Sequence, residues 1–174
     1  MAQDTVQVNL RGLFLALAVV IALIVFGVGA LTNGDPLWFL PFFSEAPQRI
    51  VVYQNGCRVE LSNGQPGFDE LTAAINQTLP QYDGFNSTTG ISPESLKDYR
   101  EKERAVEIFY GKPVTIHAPY RFGHPETIFI PLSSYFADSR SVFGGKAGDY
   151  WAGALRVKSL AAIQGAVEAI RCAP

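Results

Sequence analysis

Charge bias is missing from this sequence: 14 Lys and Arg stand against 16 Asp and Glu, a formal net charge of −2. A nucleic-acid binder would show a basic stripe, so that class is set aside. Internal repeats are absent as well. The 11 Pro and 16 Gly are scattered without period, which excludes collagen-like and low-complexity chains. Catalytic signatures are equally scarce: there is no GxSxG elbow, no HExxH, no CxxC and no dinucleotide fingerprint. Gly144-Gly145-Lys146 lacks the GxxxxGK[ST] spacing that wraps a phosphate, so nucleotide binding is not indicated. His117 and His124, with Glu126 close behind, are too few and too widely spaced for an ordinary zinc site. No metal or cofactor is expected.

What the chain does have is one long apolar run. Residues 13–31, LFLALAVVIALIVFGVGAL, are nineteen positions without a polar side chain. As a helix they would span about 28 Å, close to the hydrocarbon thickness of a bilayer. A soluble core helix of that length would need a polar stripe, and none is present. A cleavable signal peptide competes with this reading, with Val28-Gly29-Ala30 as small residues near a cut. Its apolar stretch is normally about 7–15 residues behind a basic leader. Here the run is longer and the leader carries only Arg11 against Asp4, so an uncleaved signal-anchor is expected. Arg11 before the run, and Asp35 and Glu45 after it, place the N-terminus in the cytoplasm by the positive-inside tendency.

Four segments follow. Residues 1–12 form a short cytoplasmic N-terminus, 13–31 the transmembrane helix, 32–48 an interfacial collar and linker, and 49–174 an extracytoplasmic domain. In the collar, Trp38, Phe39, Phe42 and Phe43 suit the headgroup zone, where an apolar ring meets a wet boundary. Pro36 and Pro41 keep the helix from simply running on. A docking surface for a neighbouring membrane subunit is the other reading of this stretch. Ala18 and Ala22 add a small-xxx-small spacing that weakly supports helix pairing.

The outer segment holds 13 Lys and Arg and 13 Asp and Glu, so no net field steers a charged ligand. It opens with IVVYQNGCRVEL, two β-rich runs around Asn55-Gly56, the strongest short hairpin signal. A two-residue turn there pairs Val52 with Val59 and Ile50 with Leu61, and turns Gln54 and Cys57 to the same face. Phe68, Leu71, Ile75 and Leu79 recur at helical spacing. Residues 81–90 read as a surface loop. Ser92-Pro93-Glu94 starts a charged helix with little to bury beyond Leu96 and Tyr99. Strands are expected at 106–110, 114–117, 127–132 and 150–158, the first two bridged by Gly111-Lys112. Pro131 marks an edge or a strand end. That Gly111-Lys112 turn sets Val106 against His117 and mixes apolar and polar residues on both faces. Either the loop is longer, or both faces are covered. Leu160, Ile163, Val167 and Ile170 give a final amphipathic helix. The expected fold is α+β: a mostly antiparallel sheet with two to three helices behind a single N-terminal transmembrane helix.

Cys57 and Cys172 are a candidate disulfide, as befits an exported domain of this size. Free thiols, one buried and one near the terminus, are the plain alternative. Tyr120, Arg121, Phe122 and His124 occupy the most chemically varied loop, and such residues are enriched at binding hot spots. A rigid proline-pinned connector explains the same loop. Asn76 and Asn86 begin glycosylation sequons, of which only Asn86 falls in a loop.

The expected function is a single-pass, membrane-anchored, non-enzymatic interaction module, in one version an accessory subunit of a membrane protein complex. Its partners are the lipid bilayer and a protein in or near the membrane, not nucleic acid; a small-molecule ligand is left open. The alternative is a membrane-tethered hydrolase or redox enzyme using Cys57 or His117/His124.

Overall fold

The first hairpin forms where its turn chemistry demands. In the computed structural model, which describes residues 9–172, β1 (Arg49–Gln54) pairs antiparallel with β2 (Cys57–Ser62). Val52 faces Val59 and Ile50 faces Leu61, the register expected from the turn. Asn55 and Gly56 both adopt positive φ, as a type I′ turn requires.

From this start grows one seven-stranded antiparallel sheet. Its other strands are β3 (Tyr82–Asn86), β4 (Arg104–Phe109), β5 (Thr127–Pro131), β6 (Ser141–Lys146) and β7 (Asp149–Val157). Their order is β2-β1-β4-β5-β6-β7-β3. Helices α2 (Phe68–Thr78) and α5 (Ala161–Glu168) cover one face. Leu71, Ile75, Ile163 and Val167 pack there on Ile50, Val52, Val106, Ile108 and Ile130. Helices α3 (Pro93–Glu101) and α4 (Ser134–Asp138) cover the other, where Tyr99 and Phe136 meet Val51, Tyr53, Phe129 and Phe143. Central strands are therefore apolar on both sides. Ile50, Val51 and Val52 are consecutive and each is fully buried.

This sandwich corrects several expectations. Residues 114–117 are not a strand, because β4 already has β1 on one edge and β5 on the other. The chain instead runs from Tyr110 to Glu126 as a long connection that tucks Val114 and Ile116 into the core. The loop is longer than two residues and both faces are covered. Residues 82–86 are a strand rather than surface loop, paired with β7 at the sheet's edge. Strand β6 was not foreseen, and Gly144-Gly145-Lys146 lies on it. Pro131 ends β5, but that strand is central and the edges are β2 and β3. Four helices flank the sheet where two to three were expected.

Ahead of the sheet stands α1 (Leu10–Asn33), its start capped by the Asn9 side chain and its end by Gly34 in the left-handed region. It is long and apolar enough to cross a membrane, with mean hydropathy 2.9 over its best 18 residues. None of its residues is buried.

Candidate functional site

The residues expected to form a collar divide into two groups. Trp38 and Phe39 fold back onto α1: the Phe39 ring meets Phe26 edge-on at 5.9 Å, and the Trp38 indole lies on Gly29. A Cβ at Gly29 would sit 2.6 Å from that indole, so a larger residue there would push the ring off the helix. Phe42 and Phe43 belong to the head instead. Phe43 is 5% exposed and packs on Tyr110, which corrects its assignment to an interface. Phe42 stays exposed and stacks on His117 with ring centroids 6.1 Å apart.

A buried polar contact joins the two groups. The Asp35 carboxylate, just past the end of α1, lies 2.7 Å from Nδ1 of His117 on the long β4–β5 connection. Its other oxygen accepts the Leu37 N–H at 2.8 Å. Asp35 is 7% exposed, so the bond is screened from water and the chain leaving α1 is clasped to the head. Sequence reading missed this pair, since 82 positions separate its members.

The loop read as a partner contact is only partly available. Phe122 is a core residue at 3% exposure and presents no surface, a correction forced by its packing against Phe85. Tyr120 is half-buried and stacks on the same ring. Arg121 and His124 are exposed, and Nδ1 of His124 lies 3.0 Å from the Thr115 hydroxyl.

The largest buried polar cluster was not foreseen. Glu107 points from central strand β4 into the α3 face and is 1% exposed. Its Oε2 accepts the Tyr53 hydroxyl at 2.9 Å and Arg100 Nε at 3.3 Å; its Oε1 accepts the Tyr150 hydroxyl at 2.7 Å and Arg100 Nη2. Burial, and then the Glu107 charge, push the Tyr53 and Tyr150 hydroxyls above the usual tyrosine range. Four donors occupy the carboxylate, which leaves it no lone pair directed at a substrate. The arrangement fixes α3 to the sheet. One signal was present in the sequence: a carboxylate in the middle of the apolar strand AVEIF must find buried partners.

Cys57 and Cys172 are joined as a disulfide, with Cα atoms 6.2 Å apart. The bond ties the first hairpin to the end of α5 and closes a separation of 115 residues, worth roughly 4–5 kcal/mol as a chain-entropy ceiling. The Cys57 sulfur is thus a disulfide sulfur and carries no thiol. Among the described residues, no three His, Cys, Asp or Glu side chains converge as metal ligands would.

A further polar concavity among the described residues is a cleft of about 180 Å3 lined from β3, β7 and α4. Hydroxyl, amide and guanidinium groups make up most of its wall. No protein-family model matches this chain, and no curated protein or solved structure compared with it matches either.

Proposed function

We propose that this chain is a single-pass membrane protein whose folded head is a non-catalytic binding module held outside the cytoplasm. The observation that carries the reading is α1: 24 residues, strongly apolar, and none of them buried. In water that surface would be untenable, and lipid is the solvent that suits it. Residues 28–30, where a signal peptide would be cut, lie inside the unbroken helix, and Gly29 seats Trp38. Both favour retention of the segment. The Cys57–Cys172 bond supports an oxidising compartment for the head, in agreement with Arg11 marking the cytoplasmic side.

The head is not suspended on a loose tether. Asp35, His117 and Phe42 hold it close to the end of α1, which suits an accessory subunit working at the bilayer surface. Alkaline carbonate extraction of membranes containing the full chain tests the anchor. The chain should stay in the pellet at its full mass; recovery in the supernatant, or loss of residues 1–30, would end the proposal.

A further inference from the structure

Beyond Phe42, the head hides its large apolar side chains with one exception among the described residues. Tyr135 is 73% exposed. It stands at the start of α4, whose entry at Ser134 and exit at Arg140 both take left-handed φ, 59° and 54°. Non-glycine residues adopt that region only when their surroundings impose it. The short helix is therefore held in a fixed pose, with the Tyr135 ring as one wall of the polar cleft.

The remaining walls are hydrogen-bonding groups. Ser139 and Ser141 hydroxyls lie 2.9 Å apart at the base, and Asn86 and Thr89 stand at the β3 side. Arg156 lines the cleft as well. Its Nε binds Oδ1 of Asp83 and its Nη2 reaches the Asp83 carbonyl, while Nη1 donates to no acceptor among the described residues. Gly84 makes this pose possible, because a Cβ there would come within 2.8 Å of Nη2. Arg140 also pairs with Asp83, at 3.2 Å, so two guanidinium groups share a single carboxylate. Asp83 is held below the usual carboxylate range by Arg156 and by Arg140, and stays charged. One positive charge is left over beside the cleft.

We propose that this cleft binds one acidic pyranose ring, a uronic acid residue of a glycan. A volume of about 180 Å3 holds roughly six waters at about 30 Å3 each, the bulk of one sugar ring with its hydroxyls. The C–H face of such a ring is apolar and lies against an aromatic face, here Tyr135. Its hydroxyls match the Thr89 hydroxyl, which can both donate and accept, the Asn86 amide N–H groups and the Ser141 oxygen. Ser139 donates to the Phe136 carbonyl, and Asn86 Oδ1 accepts from Thr88. The Nη1 of Arg156 can donate to the ring's carboxylate, its Nε and Nη2 being already directed at Asp83. This assignment rests on the binding reading above and gives it a ligand class. It does not depend on where α1 resides: carbonate extraction reports on the anchor alone, and sugar binding on the cleft alone.

The experiment uses the full chain in phosphocholine nanodiscs, free of sugar detergents, with methyl β-glucuronide and methyl β-glucoside as probes. Saturation-transfer NMR should show the ring protons of the glucuronide receiving magnetisation from the protein. Its Kd should be on the order of millimolar, as befits a ligand this small. Tyr135→Ala alters an exposed side chain and leaves the fold intact; it should weaken glucuronide binding by about tenfold. The glucoside should bind at least about threefold more weakly than the glucuronide. No transfer to either sugar, or an unchanged Kd in Tyr135→Ala, overturns the proposal. Equal binding of the two sugars overturns the role given to Arg156.

Discussion

Helix α1 and the central strands of the head draw on the same apolar residue types and treat them in opposite ways. In the head, Ile50, Val52, Ile108 and Leu155 are fully buried, and the central strands are covered from both sides by the chain's own helices. In α1 the large side chains are all at least 43% exposed, and Leu31 reaches 86%. Apolar content alone does not make a core; a core also needs a second layer to close over it. The head supplies that layer to itself, whereas α1 has only Trp38 and Phe39 laid against it. Charge separates the two regions just as sharply. The sheet buries Glu107 because Tyr53, Tyr150 and Arg100 converge on it. Helix α1 has no such donors, and its sequence accordingly carries no charge between Gly12 and Asn33.

That contrast breaks most visibly at Glu107. Glu107→Ala leaves the Arg100 guanidinium and two tyrosine hydroxyls without their acceptor, a loss of about 3–5 kcal/mol for a broken buried pair. Urea unfolding of the head should show it. Removing Arg100 as well should cost less than the sum of the single changes, since the second removal relieves the orphaned charge. Additive losses would mean that the two side chains act separately.

The same layer sets an alkaline limit. Tyr53, Tyr99 and Tyr150 face it, and burial first of all raises each above the ordinary tyrosine value. Above about pH 10 the unfolded chain releases phenolic protons that the folded head retains. The folded state then binds more protons, so stability falls as pH rises. The slope is about 1.4 kcal/mol per pH unit for each tyrosine kept neutral. Tyrosinate absorbance should therefore rise together with unfolding. Full ionisation of these residues in an intact fold would contradict the burial described for them.

Legibility in the sequence followed the reach of the forces involved. The Asn55-Gly56 hairpin, α2 and the Leu160–Ile170 spacing rest on neighbours within a few positions, and their register or face was readable in advance. The disulfide was readable because only two cysteines exist to pair. Strand β3 was not, since YDGFN combines poor strand formers and becomes a strand only by joining the edge of β7. Residues 114–117 failed for the opposite reason. They have strand composition, but β1 and β5 had already taken both edges of β4. Glu107 and the Asp35–His117 contact depend on partners set by topology, which local pattern does not carry. Phe122 and Phe43 looked like surface aromatics by their neighbours and were claimed by the core.

Whether the two regions move as one body turns on the smallest of these effects. Asp35 is held by His117 on one oxygen and by the Leu37 N–H on the other, so the amide of Leu37 reports on the clasp. His117→Ala removes one of the two bonds and the stacking surface of Phe42, a loss of about 1.5 kcal/mol for a hydrogen bond to a charged group. If the clasp opens locally, hydrogen exchange at Leu37 should quicken by roughly tenfold while exchange in β4 and β5 stays unchanged. Quickening throughout the sheet would place His117 in the head's global stability instead. Unaltered exchange at Leu37 would assign the junction to Phe43 in the core and to Trp38 on Gly29, leaving the polar pair a passenger.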